Sequence, residues 1–332
     1  MVSMFRQKSP GNIIVLLIFS LLLKLPLFFY PKQIVANKND GDFYHWLMNG
    51  INAISLNNAL FCSLLSFLLL YVQALIINHL INEFKLLPKQ NYLPAAAYLL
   101  VTTLFPEWNY LSSPLVATTF IFWILIKLFR LHNVANAKGQ IFNIGLLLGI
   151  SSYIYFPSAS FIICILLGLI IIKPFRFNEV VLFLVGCLAP YYFVGAYLFL
   201  TDKLSFASFF PHVSIRIPDV RSTIWLAAST LILAVPFLIG GFFIQTHLHK
   251  VLIQVRKAWS ILLLYLLLAF FIPFVNSNTS FSNWILIAGP FACFHASAYF
   301  YPERKWLPNA LFLLIAGYIL YVEYGTKLWQ QI

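Results

Sequence analysis

Residues 56–81 read LNNALFCSLLSFLLLYVQALIINHLI, a stretch with no Asp, Glu, Lys or Arg. A helix needs roughly 20 apolar residues to cross the hydrocarbon core of a bilayer, so this stretch is long enough to span one by itself. The pattern recurs on both sides of it. Further apolar runs lie at 12–31, 91–106, 113–131, 141–156, 158–173, 178–200, 222–244, 258–275, 282–300 and 306–324. The expected fold is all-α: a polytopic transmembrane bundle of about 11 helices, with residues 1–332 forming a single integral membrane domain. The runs 91–106, 141–156 and 158–173 are short. Tilting, burial within the protein, or a hairpin that does not fully cross would each accommodate them.

Composition excludes the main alternatives. Hydrophobic residues make up 61% of the chain and charged residues 9%, against about 25% charged in a soluble domain. The net charge of +12 does not point to nucleic acid, because the Lys and Arg are scattered through short loops with no basic helix or domain. Cys62, Cys164, Cys187 and Cys293 each sit inside an apolar run, without a CxxC pair, and read as small buried hydrophobes. The 12–31 run follows Arg6 and Lys8 as a signal peptide would. It lacks a small-residue cleavage site and closes on Pro26, Phe28, Phe29, Tyr30 and Pro31, so a retained helix is expected.

Charge placement then orients the chain. If all eleven runs cross, fourteen cations fall on one side: Arg6, Lys8, Lys85, Lys89, Lys127, Arg130, Lys138, Lys173, Arg176, Lys250, Arg256, Lys257, Arg304 and Lys305. Six fall on the other: Lys32, Lys38, Lys203, Arg216, Arg221 and Lys327. The richer side is expected to be cytoplasmic, with the N-terminus inside and the C-terminus outside. Lys24 is the one full charge well away from the ends of a predicted span. A charge there is either functional or snorkels toward the headgroups.

The outer loops hold the candidate chemistry. The first runs from Lys32 to about Leu56 and contains Asn39-Asp40-Gly41-Asp42. Phe43, Trp46, Leu47, Ile51 and Ile54 follow at i, i+3, i+4, i+8 and i+11, which is one helical face. This predicts a short interfacial helix with Asp42 at its N-cap and His45 at N3. A second loop carries Glu107 beside Trp108 and Tyr110. Another long loop, 201–221, interleaves Lys203, His212, Arg216 and Arg221 with Phe206, Phe209 and Phe210. Carboxylates here could act as a general base or hold a divalent metal, and cations beside aromatics could grip a lipid phosphate. The simpler reading is also open: Asp42 caps a helix, Asp40 shapes a turn before Gly41, and the arginines meet headgroups. Pro236 and Gly289-Pro290 are expected to kink their helices, and Gly240-Gly241 to permit close packing.

A short N-terminus, a first helix and an outer loop with an acidic residue and an interfacial helix, here Asn39 to Ile54, resemble the polyprenyl-phosphate-dependent glycosyltransferases of the GT-C class. The resemblance covers roughly residues 1–200. It continues in Gly145-Leu-Leu-Leu-Gly149, in Lys173-Pro174-Phe175-Arg176, in Leu188-Ala189-Pro190-Tyr191-Tyr192 and in Ser112-Ser113-Pro114-Leu115. Residues 201–332 would add an outer loop and C-terminal helices. The sequence departs from the family pattern at Ser113, where an acidic residue is common, at Tyr155, where a lysine is common, and in Trp284–Pro290, which lacks the family's arginine. The Pro106-Glu107…Ser113-Pro114 opening and the Lys173–Glu179 turn are also similar to a group of polytopic membrane proteins of Bacteroidota, some labelled carotene monooxygenases. The residues argue against that label: of seven histidines, only His295 lies well inside a span, with His79 near an inner end.

The resemblance implies a bacterial inner-membrane protein that transfers sugar from a polyprenyl phosphate at the periplasmic face. Asp42 or Asp40 would be the base, Arg216, Arg221, Lys203 and His212 would hold the lipid phosphate, and Glu107 would orient the acceptor or bind a metal. Membrane lipids would surround it, and no nucleic acid is implied. The alternative is a non-catalytic subunit or scaffold working with other membrane proteins of the cell envelope. A transporter fits less well, because neither an inverted repeat nor charge-rich discontinuous helices are visible.

Overall fold

The structure is a computed structural model that describes residues 2–7, 9, 11–32, 34, 40–54, 58–134, 137–174, 176–202, 215, 217, 223–275, 280–304 and 306–325. Among the described residues it is all-α, with no strand. The helices are α1 (Val2–Phe5), α2 (Gly11–Lys24), α3 (Pro26–Phe29), α4 (Asp42–Ile54), α5 (Asn58–Glu83), α6 (Leu93–Thr103) and α7 (Ser113–Arg130). They continue with α8 (Lys138–Ile154), α9 (Phe161–Ile172), α10 (Phe177–Leu200), α11 (Ile224–His247), α12 (Ile253–Phe271), α13 (Ala288–Phe300) and α14 (Trp306–Leu320). Each of the eleven apolar runs is occupied by helix. Six of the helices are long and apolar enough to cross a membrane: those beginning at Asn58, Ser113, Phe177, Ile224, Ile253 and Trp306.

The surface explains why so few charges suffice. On α10, Leu188, Tyr192, Phe193 and Tyr197 all stand open on the outside of the bundle, as do Leu231, Leu238 and Phe242 on α11. A water-soluble monomer does not leave continuous apolar faces of this kind uncovered. The chain is a polytopic membrane protein.

Short runs have a physical cause in one case. Every residue of α6 is buried, because α2, α5, α13 and α14 surround it. A helix apolar on all sides belongs inside, and α6, at 11 residues, is held by protein rather than by lipid. Polar groups tie it to its neighbours. Tyr98 donates to Gln73 Oε1 at 2.6 Å, and Gln73 Nε2 donates to the Leu115 carbonyl and Thr119 Oγ1, both at 2.8 Å. These bonds join α5, α6 and α7 in a region where an unmade hydrogen bond costs about 1–3 kcal/mol.

The tightest helix pair is α8 with α10. A side chain at Gly145 would meet the Phe183 carbonyl, one at Gly149 the Cys187 carbonyl and Pro190, and one at Gly186 the Phe142 carbonyl. Gly145 and Gly149 are therefore one small-xxx-small face that lets two backbones touch. The pairing expected for Gly240-Gly241 is half right. Gly240 on α11 lies against the Phe294 carbonyl of α13, while Gly241 faces open space. Pro236 sits inside α11, but Gly289-Pro290 does not interrupt a long helix as expected. Residues Phe281–Ile287 form 3-10 turns, and α13 begins only at Ala288. Pro290 thus falls in the first turn of α13, where a missing N–H costs nothing. All four cysteines are buried with free thiols.

A helix, α4, exists at the predicted place, with one correction at its start. Tyr44 and His45 donate their N–H groups to the Gly41 carbonyl at 2.9 and 3.2 Å. Gly41, not Asp42, is therefore the residue half in the helix, and Asp42 stands in the first turn, where a carboxylate complements the helix dipole. Tyr44, Met48 and Ile51 pack with Cys62, Leu111 and Ile154 in a second small core, while Phe43 and Trp46 point outward. Both faces of α4 are apolar, and the spaced set is divided between them, with Ile51 in the small core and Phe43 and Trp46 outside it.

Candidate functional site

Gly41 begins the site. Its N–H donates to the Ile154 carbonyl at the end of α8 at 3.0 Å, and a side chain on it would strike the Tyr153 carbonyl. Glycine is needed there for close approach of two backbones. That contact pins the segment before it, and Asp40 is thereby delivered to the start of α7, where Ser113 Oγ donates to Asp40 Oδ1. The bond joins residues 73 apart in sequence.

A second pair of long-range bonds builds the opposite wall. The 3-10 turn Pro106–Asn109 presents Glu107 and Trp108 to Phe281. Glu107 Oε2 accepts from the Phe281 N–H at 2.7 Å and from Ser280 Oγ at 3.2 Å. Trp108 Nε1 donates to the Phe281 carbonyl at 3.0 Å, and the two rings stack 5.7 Å apart. Both backbone polar groups of one residue are thus held by adjacent side chains.

Between these walls is a cavity of about 220 Å³ lined by Lys32, Asp40, Tyr44, Glu107, Tyr110, Ser112, Ser113, Ser280, Ser282 and Asn283, with Ile34, Leu111 and Pro114. Lys32 Nζ stands 4.7 Å from the centre of the Tyr110 ring, a cation–π distance. Tyr44 donates to the Leu111 carbonyl at 3.3 Å. Burial pushes its phenol above the ordinary value, and the Asp40 charge adds to this, so Tyr44 is a neutral group. The Tyr155 hydroxyl is buried with no hydrogen-bond partner among the described residues, close enough for the Asp40 charge to reach it. The volume is below the roughly 300–1,000 Å³ of drug-sized sites, and the lining is rich in hydroxyls. It suits one small polar group beside two carboxylates and one cation.

Of the residues expected to form the site, Asp40 and Glu107 meet in this cavity. Asp42 does not line it and lies exposed on the first turn of α4. Lys203, His212, Arg216 and Arg221 lie outside the described residues. Lys24 does not snorkel. It is buried, donating to Asn109 Oδ1 and, at 3.2 Å, to Thr102 Oγ1, and shares a small recess with Tyr110 and the buried Glu323. Tyr110 lines this recess and the outer cavity, so Lys24 sits directly behind the cavity wall. Lys32, Tyr110, Ser282 and Asn283 were missed as site residues. Lys32 had been read only as an outer-side charge, and no local pattern links it to the serines of 280–282.

Among the described residues no group of three or more His, Cys, Asp or Glu side chains converges as a metal site. His295 is buried and bonds through Nε2 to the Leu233 carbonyl at 2.8 Å, and His79 pairs with Glu83. No protein-family model matches the chain, and neither a curated protein nor a solved structure matches it.

Proposed function

We propose that this protein is a GT-C-like glycosyltransferase that uses a polyprenyl-phosphate sugar at the periplasmic face of a bacterial inner membrane. Eleven crossings, with the N-terminus inside and the C-terminus outside, follow from the fourteen-to-six division of Lys and Arg. The observation that carries the reading is the junction of Asp40 with Ser113. Ser113 occupies the opening where the GT-C class commonly has an acidic residue, and Asp40 brings a carboxylate to that spot from another loop. Asp40 takes the proton of an acceptor hydroxyl. That oxygen then bonds to the anomeric carbon as the bond to the phosphate oxygen breaks, and polyprenyl phosphate leaves. Lys32 meets the phosphate charge, joined by Arg216, Arg221, Lys203 and His212 of the 201–221 loop. Glu107, already engaged with Ser280 and Phe281, shapes the acceptor side.

The test is sugar transfer from polyprenyl-phosphate donors in membranes carrying Asp40→Asn, Asp42→Asn or the unchanged protein. Loss of a general base lowers the rate by about 10²–10⁴-fold, so Asp40→Asn loses transfer while Asp42→Asn keeps it, both at normal abundance. Full activity of Asp40→Asn would end the assignment. The second reading, a non-catalytic subunit of an envelope complex, draws on the fact that Asp40 and Glu107 both already hold hydrogen bonds within the protein. Co-purification of a fixed set of membrane proteins, with no transfer from any donor, would favour it.

A further inference from the structure

The larger cavity lies at the other end of α7. Ser113 opens that 18-residue helix in the outer cavity, and Arg130 closes it, roughly 26 Å away at 1.5 Å per residue. This second pocket has a volume of about 370 Å³ and is formed by the ends of α5, α7 and α9 with the start of α12. Its walls are apolar, from Phe84, Phe129, Ile172 and Ile261 among others. Three cations, Lys85, Arg130 and Lys257, line it with His132, Gln254 and a single carboxylate, Glu83.

That carboxylate is already used. Arg130 binds it through Nε and Nη2 at 2.8 and 3.1 Å, and His79 bonds it at 2.8 Å. Lys257 gives one N–H to the Ile172 carbonyl at 3.1 Å, which satisfies a helix end without cancelling charge and leaves two donors. Lys85 makes no hydrogen bond or ion pair among the described residues. Its backbone is left-handed, with φ 51°, and the Leu86 N–H returns to the Ile81 carbonyl at 3.0 Å. This is the helix-ending motif in which glycine ordinarily takes the left-handed position. Here a lysine takes it, and its cation lines the pocket.

We propose that this pocket binds the phosphate of an anionic phospholipid from the adjoining leaflet. Cations around an apolar recess between helix ends match a ligand with a charged head and a hydrocarbon tail. Uncompensated positive charge in the recess also disfavours a neutral lipid. The site is separate from the outer cavity and does not depend on its assignment.

The purified full-length protein in lipid nanodiscs tests this by native mass spectrometry, titrated with phosphatidylglycerol, phosphatidylcholine or inorganic phosphate. Phosphatidylglycerol is expected to bind at saturable stoichiometry, with phosphatidylcholine much weaker and millimolar inorganic phosphate unable to displace it. Lys85→Gly suits the left-handed backbone, so it keeps the fold. Removing one cation near a headgroup weakens binding about fivefold. Lys89→Gln, in the same loop but outside the pocket lining, leaves affinity unchanged. Equal affinity for the two lipids, equal loss in both variants, or complete displacement by inorganic phosphate would each overturn the proposal.

Discussion

The two ends of α7 are organised by different physics. At the Ser113 end, shape and directed hydrogen bonds set the geometry. Gly41 lies against the Tyr153–Ile154 backbone, Asp40 meets Ser113, and Glu107 with Trp108 grips both sides of Phe281. At the Arg130 end, cations surround a pocket, and the ion pair of Glu83 with Arg130 is partly open to solvent. The outer cavity should therefore tolerate salt and resist added volume. The pocket at the Arg130 end should tolerate substitution and respond to ionic strength. A carboxylate that has to approach a reacting group needs the first kind of order, whereas a headgroup that exchanges with a leaflet needs only the second.

The largest expected effect breaks the outer arrangement. Gly41→Val places a branched side chain against the Tyr153 carbonyl, a backbone atom that cannot move aside cheaply. It should destabilise the protein by about 3 kcal/mol and detach Asp40 from Ser113. Thermal unfolding in detergent measures this directly. Gly50→Ala provides the contrast, because nothing lies within 4 Å of the added methyl and alanine is the better helix former by up to about 1 kcal/mol. It should leave stability equal or higher. Equal losses in both variants would show that Gly41 positions nothing.

A middle-sized effect sharpens the role of the opposite wall. Glu107→Ala leaves the Phe281 N–H without its acceptor, at a cost of about 1–2 kcal/mol. Trp108→Phe keeps most of the ring stack but removes the bond to the Phe281 carbonyl, at about 1 kcal/mol. The two act on the same residue, Phe281, so a double-mutant cycle should reveal coupling. Strict additivity would mean that the 3-10 segment is held elsewhere.

Much of the fold was legible because bilayer physics is coarse. Any run such as 56–81 must close its own backbone hydrogen bonds, and helix is the solution it can reach alone. The existence of α4 was legible from Asp42, Trp46 and Ile51, but its register was not. Phe43 and Trp46 suit a membrane interface as well as Tyr44 and Met48 suit a core, and a periodicity argument cannot separate two apolar faces. Gly145 and Gly149 were read as part of a family hairpin, although their four-residue spacing marked a close helix crossing with α10. The site was legible only in pieces. Asp40 and Glu107 were visible as rare outer carboxylates, yet their partners lie 73 and 174 residues away. Lys24 carried the clearest local signal of all, a charge in an apolar run. Its settlement with Asn109 and Thr102 required packing that no spacing rule contains.

The smallest expected effect belongs to the Arg130 end. Glu83→Gln keeps the shape of the side chain and removes its charge. Partly exposed pairs of this kind contribute up to about 1 kcal/mol, with salt screening the attraction further. Stability should therefore fall by less than that, and the difference from the unchanged protein should shrink as salt is raised. Anionic lipid should bind at least as tightly, because removing the one carboxylate of the pocket leaves Lys85, Arg130 and Lys257 unopposed. Stability and lipid affinity moving in opposite directions would mark an electrostatic site. A large, salt-independent loss of stability would instead place Glu83 in the same class as Gly41, as a residue that holds the bundle together.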